Sequence, residues 1–113
     1  MKPVLALMFL AAGPALSEEH TAADCAALWQ GVALEAADNP SLPGSPETAS
    51  LLAREFSLTA ADDGLTGAPL RAAILEALPD YRLLYRGVIA GDLQSRELFE
   101  SHAKACSGLL EKS

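Results

Sequence analysis

The histidine nearest the amino terminus, His20, stands where it could complete a metal site. If the chain is cleaved after Ser17, Glu18 becomes the first residue, Glu19 the second and His20 the third. The free amine, two amide nitrogens and the imidazole of such a terminus can offer four nitrogens in a square, which suits Cu(II) or Ni(II). Glu18, Glu19 and His20 are therefore a candidate copper or nickel site. The alternative is a polar lead-in to the first helix without a metal.

The only other histidine, His102, lacks a set of ligands at helical spacing. Its neighbours four residues away are Leu98 and Cys106, so one thiol at most could join it on a helix face. Two ligands are too few for a structural zinc site. The sequence therefore predicts that His102 is a half-exposed structural residue.

Two arginines four residues apart, Arg82 and Arg86, share one helix face and could bind an anion. Paired guanidinium groups hold phosphate or carboxylate through bidentate hydrogen bonds. The competing interpretation, which we favour, is pairing across helices with Glu35, Glu97 or Glu100.

Sequence signatures of catalysis are missing. The chain contains no G-x-S-x-G, C-x-x-C or H-E-x-x-H motif and no glycine-rich phosphate loop. Ser101, His102 and Asp92 supply the residue types of a hydrolytic triad, but adjacent helix positions point in different directions. We therefore expect a protein that is not an enzyme.

The two cysteines, Cys25 and Cys106, form an isolated pair. Outside the cytosol such a pair is more commonly a disulfide than a metal site. A bond closing so long a loop stabilises a fold by about 4–5 kcal/mol on the chain-entropy model. We expect a Cys25–Cys106 disulfide.

Residues 1–17 have the pattern of an export signal. Lys2 supplies a positive charge, residues 4–12 are apolar, and small residues at Ala15 and Ser17 precede the expected cleavage point. The apolar run is shorter than the roughly 20 residues that span a bilayer. The polar residues before Cys25 do not form a lipidation signal. We expect residues 18–113 to be one domain, periplasmic or secreted, without a stable membrane anchor.

The charge of that domain limits its partners. Residues 18–113 hold 7 Lys and Arg against 15 Asp and Glu, a net charge of −8. Nucleic acids and anionic membranes attract clustered basic residues, so neither is an expected partner.

Helical periodicity and alanine-rich composition predict an all-α fold of four helices. The expected helices cover about 22–37, 46–62, 69–90 and 93–111. Pro79 interrupts the third, which should kink there or split into two short helices near Leu78. An up-down bundle places the start of the first helix and the end of the fourth at one end, where Cys25 and Cys106 could bond.

These features favour a non-enzymatic exported protein that binds another exported protein, as an accessory subunit, chaperone, inhibitor or immunity-type factor. It would be a monomer or a weak dimer. One alternative is a carrier of a small ligand or metal, using His20 for copper or Arg82 and Arg86 for an anion. Another is a sensor of acid or redox stress, in which protonation of carboxylates or reduction of the disulfide loosens the bundle.

Overall fold

Four α-helices and no strand make up the described part of the chain, residues 20–42 and 45–111 of a computed structural model. The export signal predicted in residues 1–17 lies outside these ranges. The prediction of an all-α bundle with four helices is confirmed. The helices are α1 (Ala22–Ala37), α2 (Pro46–Asp62), α3 (Gly67–Ile89) and α4 (Leu93–Glu111).

Three helices begin at a polar residue that caps the first turn. The Thr21 hydroxyl accepts a hydrogen bond from the backbone N–H of Asp24 at 3.1 Å, and Ser45 caps α2 in the same way. The Asp92 carboxylate accepts from the N–H of Ser95 at 2.8 Å before α4. These side chains satisfy amides that have no partner within the helix. The sequence therefore fixes where these helices start.

Pro79 lies inside α3, which continues unbroken from Gly67 to Ile89. The alternative of two short helices meeting near Leu78 is therefore wrong. Proline removes one backbone hydrogen bond, to the carbonyl four residues earlier, at a cost of about 3 kcal/mol. That carbonyl belongs to Leu75, and both Leu75 and Pro79 are exposed, so water can bond it.

Helix α1 is the centre of the bundle. It packs extensively on α2 and α3 and also contacts α4, whereas α2 and α3 touch at few points. Gly31 permits the close approach of α3, since a Cβ there would lie 3.2 Å from the backbone nitrogen of Arg82. The small residues of α1 thus let two helices pack closely around it.

The buried core is concentrated in the first half of the chain. Cys25, Ala26 and Leu28 of α1 cluster with Phe56 of α2 and Cys106 of α4. No residue of α3 is buried, and Cys106 is the one buried residue of α4. The apolar face of α3 is consequently only half covered by the described chain.

A disulfide between Cys25 and Cys106 joins the first turn of α1 to the last part of α4, as predicted. The two Cα atoms are 5.7 Å apart although 81 positions separate them in sequence. The start of α1 and the end of α4 therefore meet at one end of the bundle, the disulfide end.

Candidate functional site at the disulfide end

The two histidines of the chain meet at the disulfide end. His20 Nε2 lies 2.6 Å from His102 Nδ1, within hydrogen-bond distance, and the rings meet edge to face with centroids 4.8 Å apart. His20 immediately precedes the Thr21 cap of α1, and His102 lies one turn before Cys106 on α4. The disulfide therefore holds together the two segments that carry the histidine pair.

A tyrosine from α3 and an aspartate from α1 support this pair. The Tyr81 hydroxyl donates a hydrogen bond of 2.5 Å to Asp24 Oδ2. The Tyr81 ring also meets the His102 ring edge to face, with centroids 5.5 Å apart. Burial, reinforced by the bond to Asp24, raises the pKa of Tyr81 well above its usual value, so the hydroxyl keeps its proton. Three helices thus fix the position of one imidazole.

The protonation of His102 follows from its surroundings. Burial lowers the pKa of His102 below its usual 6.5, and the neighbouring His20 lowers it further, while Asp24 acts in the opposite direction. His102 is accordingly uncharged at neutral pH. An uncharged imidazole has one N–H and one nitrogen lone pair, so it can accept a hydrogen bond or bind a metal.

An open cavity of about 540 Å³ adjoins His20. It lies between the start of α1, the end of α2 and the end of α4, and its walls are mainly apolar. The side chains that line it beside His20 include Ala23, Thr59, Asp63 and Leu109. Within the described part of the chain, this cavity leaves one side of His20 open to solvent.

The predicted anion site, Arg82 and Arg86, lies nearer the other end of α1 and faces an acidic side chain of the protein. Glu35 is only 4% exposed, and its carboxylate accepts from Arg82 Nε at 2.6 Å and from Arg86 Nε at 3.1 Å. Asp38 adds a longer contact of 3.6 Å to Arg82. The favoured pairing across helices is therefore observed, with Glu35. Binding of an external anion by this pair stays a prediction.

These arginines keep Glu35 ionised. The hydrogen bond from Arg86, the bond from Arg82 and the charges of both outweigh the burial of the carboxylate, so the pKa of Glu35 lies below its usual 4.5. The cluster has the properties of a structural ion pair between α1 and α3.

The predicted metal site at the amino terminus is only partly described. Glu18 and Glu19 lie outside the described residues, so the square of four nitrogens stays a prediction. Within residues 20–42 and 45–111, no group of three or more His, Cys, Asp or Glu side chains is arranged to hold a metal ion.

No helix in the described ranges combines the length and apolar character needed to cross a bilayer.

The contact between the two histidines was missed by the sequence analysis, which treated them separately. They are 82 positions apart, and no helix periodicity connects them. Their spacing from the cysteines could have predicted this contact. His20 lies five residues before Cys25, and His102 lies four residues before Cys106. Residues within about a turn of two bonded cysteines are brought close with them.

Fold and site together define a small all-α protein in which a disulfide joins the first and last helices and a histidine pair lies beside that bond. No protein-family profile matches the chain, and no curated protein or solved structure shows significant similarity to it.

Proposed function

We propose that this protein is an exported, non-enzymatic binding protein whose partner is another exported protein. In this proposal the outer face of α3 contacts the partner. The export pattern of residues 1–17 supports the location, and the incomplete burial of α3 supports the mode of binding. The single observation that carries the proposal is that none of the 23 residues of α3 is buried.

The outward side of α3 carries an apolar stripe. Leu75, Pro79 and Leu83 are all exposed and follow one another at steps of four, which places them along one side of the helix. The two leucines expose 57% and 64% of their surface. Single exposed leucines are common on proteins, whereas apolar side chains in a row along one helix face offer a partner a continuous apolar surface to cover. We call Leu75, Pro79 and Leu83 the α3 stripe.

Charges beside the α3 stripe indicate the chemistry of the partner. Glu76 and Asp80 are exposed next to it, and within the described ranges neither forms an ion pair. The arginines farther along α3 are already paired with Glu35, and Arg82 also contacts Asp38. The partner surface should therefore be apolar and edged with Lys or Arg, so that the acidic side chains gain opposite charges on docking.

The experiment compares the α3 stripe with an equally exposed pair of leucines. Leu51 and Leu58 on α2 expose 63% and 58% of their surface. A photo-crosslinking amino acid is placed at Leu83 or at Leu58 in the exported protein, and the crosslinked species are identified by mass spectrometry. We expect one protein to crosslink stoichiometrically from position 83 and not from 58.

The identified partner is then purified and its affinity measured. We expect the variant with Leu75→Ser and Leu83→Ser to bind at least about tenfold more weakly, since it removes two apolar side chains whose full burial contributes about 1.5–3 kcal/mol each. The variant with Leu51→Ser and Leu58→Ser should bind as the unaltered protein does. Equal losses in both variants, a crosslink only to a second copy of this chain, or no stoichiometric crosslink would contradict the proposal.

A further inference from the structure

We propose that His20 and His102 together bind a divalent transition metal ion, Cu(II) by preference, at the disulfide end of the bundle. The site goes beyond the proposed protein binding, which uses the opposite side of α3 and neither histidine. Imidazole nitrogen is a favoured ligand of copper, and among divalent ions of the first transition row Cu(II) binds nitrogen sites most strongly.

The spacing of the two ring nitrogens is close to the spacing that a shared metal requires. Metal–nitrogen bonds to histidine are about 2.0–2.1 Å, so two such nitrogens lie about 2.9 Å apart at a right angle and about 3.4 Å apart at a tetrahedral angle. His20 Nε2 and His102 Nδ1 are 2.6 Å apart. Turning both rings and moving the two nitrogens apart by about 0.3 Å, to the right-angle spacing, therefore converts the hydrogen-bonded pair into two ligands of one ion.

Replacing the hydrogen shared by the two rings with a metal ion need not change the number of protons on the histidine pair. In the hydrogen-bonded pair one ring donates its N–H and the other accepts with a lone pair. When a metal replaces this shared hydrogen, the donor ring carries its hydrogen on its other nitrogen instead. Each ring then presents a nitrogen lone pair to the ion.

The surroundings favour a cation at this point. The disulfide fixes the segments that carry both ligands, and the Tyr81 ring packs against His102. The Asp24 carboxylate, held by the Tyr81 hydroxyl, places a negative charge nearby. The nearby negative charge attracts a cation, and the packed Tyr81 ring limits the movement of His102.

The cavity beside His20 supplies an entry path and room for water. It opens to solvent and has His20 in its wall. Two protein nitrogens leave further coordination positions on the metal, which water molecules can fill from the cavity. The structure therefore supports an accessible two-histidine site.

The two-histidine site differs from the metal site predicted at the amino terminus. That site needs the free amine of Glu18 and uses His20 without His102. The two-histidine site needs both imidazoles and does not need the amine. A chain that begins at Ser17 has its histidine in fourth place, so it loses the amino-terminal site and keeps the histidine pair.

The experiment titrates Cu(II) into the oxidised chain that begins at Ser17. We expect one Cu(II) per chain, with electron paramagnetic resonance showing two imidazole nitrogens. His102→Phe should weaken binding at least about tenfold, as losses of residues at metal sites do, and His20→Phe should have the same effect. Ser101→Ala, an exposed neighbour on α4, is the matched control and should bind as the parent chain does.

Assays for free thiols and circular dichroism confirm that each variant is folded with its disulfide intact. His20 precedes α1, so its variant tests the site even if His102→Phe disturbs α4. Unchanged affinity in either histidine variant, a single imidazole in the spectrum, or no stoichiometric binding would overturn the proposal.

Discussion

Helices α1 and α3 pack against each other but differ sharply in burial. Helix α1 has 16 residues, of which ten are buried, while α3 has 23 and none is buried. The difference follows from side-chain size, because seven of the 16 residues of α1 are alanine and Gly31 lies at its contact with α3. Small residues let neighbouring helices approach on several sides, whereas the larger aliphatic residues of α3 keep neighbours farther away. The central helix is thus the one with the smallest side chains.

The largest expected effect comes from breaking the bond that ties α1 to α4. Replacing both cysteines, as Cys25→Ala with Cys106→Ala, should lower the free energy of unfolding by about 4–5 kcal/mol, because the open chain gains the freedom of a long loop. Urea unfolding of the oxidised protein and the variant measures this difference. A loss below about 1 kcal/mol would show that the helices hold together without the bond.

The second prediction compares one leucine from each helix. Leu28 of α1 is 1% exposed, and Leu28→Ala should cost about 2–5 kcal/mol because it removes buried methyl groups and leaves a cavity. Leu83 of α3 is mostly exposed, so Leu83→Ala should change stability by less than about 0.5 kcal/mol. Urea unfolding measures the change in stability of both variants. Similar losses in the two variants would contradict the burial difference between the helices.

The third prediction concerns the ion pair that links the two helices. Glu35→Gln removes a buried charge that two arginines bind, and should cost about 1–3 kcal/mol near pH 7. Glu100→Gln, which breaks an exposed pair with Arg96, should cost less than about 0.5 kcal/mol. Urea unfolding of both variants at pH 7 provides the comparison.

The same ion pair predicts a dependence on pH. Folding lowers the pKa of Glu35. The stabilisation that its charge gives the fold is therefore complete above about pH 4.5, and it is lost as the pH falls through the lower pKa of the folded protein. The difference in the free energy of unfolding between the parent protein and Glu35→Gln should therefore become smaller below pH 4.5. A gap that stays constant from pH 7 into the acid range would show that the Glu35 charge does not stabilise the fold.

The smallest effects should come from replacing two glycines with alanine, which we expect to change stability in opposite directions. At Gly31 an added Cβ would meet the backbone of α3 at 3.2–3.3 Å, so Gly31→Ala should cost about 1 kcal/mol. At Gly108 on α4 no packing neighbour in the described part of the chain comes within 4 Å of such a Cβ, and Gly108→Ala should stabilise by about 0.5–1 kcal/mol. Thermal unfolding measures both. A gain at Gly31 would show that α1 and α3 are not in tight contact.

Much of this fold could be predicted from sequence because its determinants are local. The caps at Thr21, Ser45 and Asp92 mark helix starts by hydrogen bonds within a few residues. The disulfide was predictable because the chain has only two cysteines. The effect of Pro79 was harder to predict. Its energetic cost depends on whether the Leu75 carbonyl, which Pro79 leaves without a hydrogen bond, faces water, and that depends on the packing of α3.

The arrangement of the helices and the histidine pair could not be predicted in the same way. Periodicity gives each helix an apolar side but does not say which helix becomes central, because that choice depends on how side-chain sizes fit together. The meeting of His20 with His102 required the disulfide and the orientation of α4 to be known together. Glu35 was one of three acidic candidates for the arginines, and the register between α1 and α3 selected it.

Hydrogen–deuterium exchange of the isolated, oxidised protein tests most directly the claim that α1 is the enclosed helix and α3 the open one. Peptides from α1 should exchange slowest, at the rate set by global unfolding, whereas peptides covering the α3 stripe should exchange faster through local opening. Equal protection of the two helices, or slower exchange in α3, would contradict the account.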